Sequence, residues 1–185
     1  MSLLIDVGQV LRGSVCELYS NLLTRPTGAA VRHAIEQQVV EVGAPVVTTI
    51  DFSQVDLLDV SCADEIVAKL LLRYDGADPL SGYLLFKGIR EDHLEAIDAV
   101  LEKRSLALVA WHDGLAELHG IVDEDERLYW EVVRDLGPIS ANRVAYEVGS
   151  EESIATHQLT RLYNRRLIMI GDERFIVPGM VGPFT

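Results

Sequence analysis

Apolar residues along the chain follow two spacings, one typical of strands and one typical of helices. The run Val46–Ile50 is apolar and rich in β-branched residues, which predicts a buried strand. Farther along, apolar residues recur at every third or fourth position, which predicts a helix over Ser61–Tyr74. A strand followed closely by a helix is the first half of a βαβ unit, so this stretch predicts a parallel sheet.

The same two spacings predict the other elements of the first half of the chain. Further strands are predicted at Leu3–Val10, Val15–Tyr19, Tyr83–Phe86, Leu106–Trp111 and Leu115–Ile121. Further helices are predicted at Thr27–Val42, with Thr27 as its cap and Gly43 at its end, and at Asp92–Lys103. Gly13 predicts a hairpin turn between the first two strands, and Asp113-Gly114 predicts another before Leu115. The residues of Asp75–Ser81 predict a surface loop.

The last third of the chain begins with an acidic run, Asp123–Glu126, which is favourable at a helix start. That helix is predicted to end at Gly137-Pro138. Two shorter helices follow, with Ser140 and Ser150 as predicted caps, and Ile154 is expected among the inward residues of the last one. The strands Leu167–Ile170 and Arg174–Val177 predict a terminal hairpin. The change in composition near Val122 predicts two domains, residues 1–121 and 122–185.

Ser61 and Asp64 have the spacing of a capping box. In this arrangement the Ser61 hydroxyl accepts the amide of the third helical residue, and the Asp64 carboxylate reaches back to the cap. At the earlier helix start, Arg25 beside exposed backbone amides can hold a phosphate or a carboxylate. A capped helix with a solvated arginine is the alternative for Arg25, and the lack of a glycine-rich loop favours it.

Two short motifs in the first half, Asp51-Phe52-Ser53 and Ala63-Asp64-Glu65, resemble the STAS-like domains, which are relatives of bacterial anti-sigma-factor antagonists. The likeness runs from about Leu3 to Ile121. It implies an α/β fold with a mixed sheet of about four to six strands. It also implies a regulatory protein partner, such as an ATPase-type kinase. Phosphorylated members carry a serine or threonine at the start of this helix, where Ser61 lies.

The resemblance therefore indicates a surface for phosphorylation or partner binding at Ser61, Asp59, Asp64 and Glu65. Where phosphorylated members have glycine after the serine, this chain has Cys62. A phosphate on Ser61 is favoured by the helix start and opposed by the neighbouring acids, so its expected effect is partner release by repulsion. The alternative is that Ser61 serves only as a cap.

The final three helices and hairpin resemble the winged helix-turn-helix superfamily, in which the third helix enters the major groove of DNA. The expected outward residues carry hydroxyl, amide and guanidinium groups, which suit base edges and phosphates. These residues are Ser153, Thr156, His157, Thr160, Arg161, Asn164, Arg165, Arg166 and Arg174. From Val122 onward, eleven acidic residues exceed seven basic ones. A protein-binding or dimerising winged helix is the open alternative.

The composition limits the classes of function. A net charge of −13 over 185 residues argues against non-specific coating of nucleic acid. Two cysteines without paired spacing and the lack of an apolar leader or spanning segment favour the cytoplasm, with no membrane association. The five histidines lack the spacing of metal ligands, and nucleotide or nucleophile motifs are absent, so neither enzyme activity nor a cofactor is expected.

The sequence thus predicts a non-enzymatic regulatory protein with an α/β fold. A STAS-like partner-binding domain is joined to a C-terminal winged-helix domain that acts in signalling and transcription regulation. The alternative is a module for protein–protein interaction or dimerisation without DNA binding, switched by phosphorylation at Ser61. Homo-oligomerisation is left open.

Overall fold

The computed structural model describes residues 2–18, 20–43, 46–74 and 82–180. It separates into two compact units, Met1–Ile121 and Val122–Thr185. The predicted loop Asp75–Ser81 and residue Tyr19 lie outside the described residues. Across the described ranges, no helix is both long and apolar enough to cross a membrane.

The first unit is an α/β arrangement around a mixed five-stranded sheet of order β1-β3-β5-β6-β7. The sheet strands are β1 (Ser2–Asp6), β3 (Val47–Asp51), β5 (Tyr83–Lys87), β6 (Ala107–His112) and β7 (Leu115–Gly120), with a separate parallel pair formed by β2 (Asn21–Leu22) and β4 (Leu57–Leu58). The first four sheet strands run parallel, and β7 is antiparallel to β6. The predicted α/β class with a mixed sheet is confirmed.

One face of the sheet forms the core. Ile5, Ile50, Phe86 and Ala110 lie in register on four neighbouring strands, and all are buried. The helices of this unit are α1 (Val7–Ser14), α2 (Arg25–Val42), α3 (Val60–Ala63), α4 (Lys69–Tyr74) and α5 (Glu91–Arg104). Apolar residues of α2 and α5, including Ile35 and Ile97, join the same core.

The helix predicted over Ser61–Tyr74 contains a local change of winding. Helix α3 passes into a π-helical segment, Asp64–Ala68, and then into α4. A π-helix closes i→i+5 hydrogen bonds and so turns less per residue than an α-helix. Successive side chains therefore diverge less, and all five residues of this segment are buried.

The predicted N-terminal hairpin is wrong. Strand β1 ends at Asp6, whose carboxylate accepts the amide of Gln9 at 3.0 Å and caps α1. Val7, Val10 and Leu11 then face inward at helical spacing. Gly13 lies within α1, so the chain forms no hairpin turn there. Of residues 15–18, positions 15, 17 and 18 lie in turns and none lies in a strand.

The other predicted elements of this unit are present with shifted ends. Helix α2 begins earlier than expected because Thr24, and not Thr27, is its cap and accepts the Thr27 amide at 3.4 Å. Gly43 ends this helix in the left-handed conformation, at φ 83°, as predicted. The hairpin predicted at the end of this unit is confirmed, with His112 of β6 paired to Leu115 of β7 across Asp113-Gly114.

The second unit, described as far as Met180, contains three helices and a hairpin. The elements are α6 (Glu124–Leu136), α7 (Ala141–Val148), α8 (Glu152–Asn164), β8 (Met169–Gly171) and β9 (Arg174–Ile176). Ile139, between α6 and α7, forms an antiparallel bridge with Phe175 of β9. Trp130 is buried and donates its indole N–H to the carbonyl of Leu167 at 3.1 Å.

Two details of the second unit differ from prediction. Ser140 occupies the N-cap of α7 as expected, but the N-cap of α8 is Glu151. The hydroxyl of Ser150 instead accepts a hydrogen bond from the Tyr129 hydroxyl at 2.8 Å. Ile154 was expected to face inward and is 49% exposed, because the buried stripe of α8 runs through Ala155, Leu159 and Leu162.

Candidate functional site

The candidate site of the first unit lies where α2 and α3 begin. The thiol of Cys62 donates to the carbonyl of Thr24 at 3.0 Å. A Cβ atom built on Gly28 would lie 2.9 Å from the Cα of Cys62. This close approach requires glycine at position 28 and brings the two helix starts together.

Asp59 is the N-cap of α3. Its carboxylate accepts the Cys62 amide at 2.8 Å and the Ser61 hydroxyl at 2.9 and 3.1 Å. Burial alone would raise the pKa of Asp59, but these donors lower it overall. The predicted capping box of Ser61 with Asp64 is therefore wrong, since the helix begins one residue before Ser61 and an aspartate already fills the cap.

Asp64 lies in the π-helical segment and is held by two arginines. It is 5% exposed. Arg104 donates from Nε to one carboxylate oxygen at 2.7 Å, and Arg25 donates from Nη1 to the other at 2.9 Å. The pKa of Asp64 is lowered to about 2, mainly by the hydrogen bond from Arg104 and also by that from Arg25, against the raising effect of burial. One carboxylate thus ties α5 to the start of α2.

Glu65 is buried beside Asp64, at 3% exposure. One of its oxygens accepts from Lys69 at 2.5 Å and from Arg25 at 2.7 Å, and the other lies 3.6 Å from Arg32 Nε. Burial would raise the pKa of Glu65, whereas Lys69 and Arg25 lower it, and the pKa is lowered overall. The two acids are therefore charged groups inside the protein that basic side chains neutralise.

The four residues predicted as a phosphorylation or partner surface thus occupy two different environments. Asp59 and Ser61 are partly exposed at the start of α3, whereas Asp64 and Glu65 are buried under basic side chains. The sequence pattern indicates neither Arg104 nor Lys69 as a site residue, and it favours a solvated Arg25. Arg25 is half exposed but paired with both acids. The sequence does indicate that such partners exist, because two adjacent acids inside an apolar helical pattern require basic side chains beside them.

The candidate surface of the second unit is the outer face of α8. Its exposed polar residues are Glu152, Ser153, Thr156, His157, Thr160 and Asn164, and Arg174 is exposed on the β8–β9 hairpin. Arg161, Arg165 and Arg166 are only partly exposed. The structure therefore brings six of the nine predicted contact residues to the surface.

Two of the three partly exposed arginines pair with the start of α6. Asp123 and Glu126 form the capping box of that helix. Arg161 donates to Asp123 at 2.8 Å, and Arg165 donates to the buried Glu126 at 2.6 Å. The hydrogen bond with Asp123 is the main cause that raises the pKa of Arg161. These arginines thus connect α8 to α6 within the unit.

No protein-family model, no curated protein and no solved structure matches the chain. The fold and the two sites define the class only as an α/β unit followed by a three-helix unit with a hairpin.

Proposed function

We propose that the chain is a non-enzymatic regulatory protein that acts in transcription regulation. Its first unit is a STAS-like domain that binds a protein partner, and its second unit is a winged helix that contacts DNA through α8. The observation that carries this proposal is the exposed polar face of α8 in a unit with the helix and strand order of a winged helix.

The strand order supports the winged-helix part. Three helices and a hairpin follow one another, and Ile139, between the first two of these helices, forms an isolated antiparallel bridge with Phe175 of the hairpin. In winged helices that bind DNA, the third helix presents polar side chains to the groove. Thr156, His157 and Asn164 have the donors and acceptors for that contact.

The first unit supports partner binding at the start of α3. Ser61 is partly exposed there, next to the cap Asp59, and the two STAS-like motifs flank this position. A phosphate on Ser61 would add about two negative charges beside Asp59. The unit would then release an acidic partner surface by repulsion, with no change of fold.

A specific observation favours a second candidate function. Arg161 and Arg165, expected to face the DNA, are paired with Asp123 and Glu126. Charges used in this way contribute little to phosphate binding, and the unit as a whole is acidic. The alternative is therefore a winged helix that binds protein or dimerises, without DNA.

Selection of genomic fragments by the full-length protein at low salt separates the two candidates. If α8 reads DNA, a fragment is retained, and the double variant Thr156→Ala with Asn164→Ala binds it at least about tenfold more weakly, because a good base contact contributes roughly 1–3 kcal/mol. Arg161 and Arg165 are poor test positions, since their removal leaves the buried Glu126 without its two arginine partners.

Gln37→Ala is the matched control, because it removes an exposed polar side chain from a helix of the other unit. It should bind DNA as the parent does. Failure of the parent to retain any fragment, or equal binding by the α8 double variant, would support the protein-binding alternative, which sedimentation of the purified chain then tests for dimerisation.

A further inference from the structure

The basic side chains around Asp64 and Glu65 exceed the acids that they neutralise. A continuous set of ion pairs joins α2, the π-helical segment, α4 and α5. Its cations are Arg25, Arg32, Lys69, Arg73 and Arg104, and its carboxylates are Glu36, Asp64 and Glu65. Without Arg73, the described residues of this cluster still carry four positive charges against three negative ones, in a chain whose net charge is −13.

Asp64 holds two guanidinium groups side by side. Arg104 reaches one of its oxygens and Arg25 the other, so the two cations are neighbours in spite of their repulsion. The proximity of Arg25 also lowers the pKa of Arg104, against the larger raising effect of Asp64. A fixed carboxylate that draws two arginines together creates a preorganised pair of cations.

Both arginines keep donors for a further ligand. Arg25 uses only Nη1 for its two acids, and Arg104 uses only Nε. Within the described part of the chain, their remaining guanidinium nitrogens have no hydrogen-bond partner among the protein atoms. The side chains are 51% and 31% exposed, so solvent and solutes reach them.

We propose that Arg25 and Arg104 form a clamp for the phosphate of a phosphate monoester. Two forked guanidinium groups offer more donors than the two oxygens of a carboxylate require, whereas a tetrahedral dianion offers three oxygens and two charges. The excess positive charge of the cluster supports a dianion over a neutral ligand. π-Helical segments such as Asp64–Ala68 recur at functional sites, and here the segment positions the acid that pairs the arginines.

The clamp goes beyond the proposed function and does not depend on it. Phosphate binding at this cluster can succeed or fail whether or not α8 contacts DNA. The phosphate can belong to a small molecule or to a phosphorylated side chain of a partner protein, and the experiment separates these two sources.

The test is a titration of the full-length chain with orthophosphate, with chloride used to hold the ionic strength constant. The Nε–Hε resonances of Arg25 and Arg104 should shift in a saturable way, and the melting temperature should rise with phosphate. Two further titrations use a peptide whose only charged side chain is a phosphoserine, and adenosine monophosphate. Tighter binding of the peptide assigns the clamp to a protein partner, and tighter binding of the nucleotide assigns it to a small molecule.

Three lysine variants keep every charge and change only the geometry. Arg25→Lys and Arg104→Lys retain an amine for Asp64 but lose the forked donors, so each should bind phosphate at least about tenfold more weakly. Arg73→Lys, at the edge of the same cluster, should bind as the parent does. Circular dichroism checks that each variant is folded. If one of Arg25→Lys and Arg104→Lys does not fold, the other alone is enough for the test.

Two results would overturn the clamp. One is the lack of saturable binding of orthophosphate to the parent. The other is equal binding by the parent and all three lysine variants, which would indicate diffuse attraction to positive charge.

Discussion

At the scale of single residues, the hydrogen bonds from Arg104 and Arg25 to Asp64 make stability depend on pH in a defined direction. Its pKa in the folded protein, about 2, is below the ordinary value of 3.8. The carboxylate therefore stabilises the fold fully above pH 3.8, and this contribution is lost as the pH falls towards 2. Asp64→Asn should lower the free energy of unfolding by about 1–3 kcal/mol at pH 7.

The measurement is urea denaturation of parent and variant over the pH range in which both are folded. The difference between them should narrow below pH 3.8. Asp98→Asn, an exposed substitution on α5, should change the free energy of unfolding by less than about 0.5 kcal/mol. If the parent and Asp64→Asn differ in free energy of unfolding by the same amount at every pH down to acid unfolding, the assignment of the Asp64 ion pairs is contradicted.

The cap of α3 gives a second prediction for single residues. Because Asp59 accepts the amide of Cys62 directly, Asp59→Ala should cost about 0.5–2 kcal/mol of stability. Ser61→Ala should cost less, since the Ser61 hydroxyl, among the described residues, hydrogen-bonds only to the carboxylate of Asp59. Thermal melts of the two variants rank them, and a larger loss in Ser61→Ala would restore Ser61 as the cap.

At the scale of elements, the sequence predicted most helices and strands but not their local departures. The apolar residues from Leu3 to Val10 fit a strand as well as a strand followed by a helix, and the capping carboxylate of Asp6 decides between the two. The π-helical segment leaves no mark in the apolar spacing. Its residues were expected to continue an α-helix, whose pattern is nearly the same over so few positions.

The contact between α2 and α3 gives a prediction with an internal control. Gly28→Ala would place a Cβ atom 2.9 Å from the backbone of Cys62, so it should destabilise the protein by about 1–3 kcal/mol. Gly13→Ala, in α1, has no atom within 4 Å of the new Cβ among the described residues and should stabilise by up to about 1 kcal/mol. Chemical denaturation measures the free energy of unfolding of both variants. Equal changes in the two would contradict the close approach of Gly28 to Cys62.

At the scale of the whole molecule, the candidate sites depend on pairs that are distant in sequence. Arg25 and Asp64 are 39 residues apart, Arg104 and Asp64 are 40 apart, and Arg161 and Asp123 are 38 apart. Local spacing predicts which face of a helix is apolar, but it carries no information on such partners. For this reason the sequence pattern predicts the acids near Ser61 at the surface and Arg161 in contact with DNA.

The negative net charge of this chain limits how it can bind DNA. The protein has a net charge of −13, so the phosphate backbone of DNA repels it as a whole. Binding must then rest on a few local cations beside the polar face of α8, such as Arg174. The proposal therefore requires selective binding with a modest salt dependence, and weak binding of unselected DNA.

The most direct measurement is the affinity of the full-length protein for a selected fragment as a function of salt concentration. The logarithm of the association constant should fall linearly with the logarithm of salt, with a slope of about −2 to −4, because about two to four phosphates are neutralised. An unselected fragment of equal length should bind at least about a hundredfold more weakly. Equal binding of both fragments, or of neither, would contradict DNA recognition by the second unit.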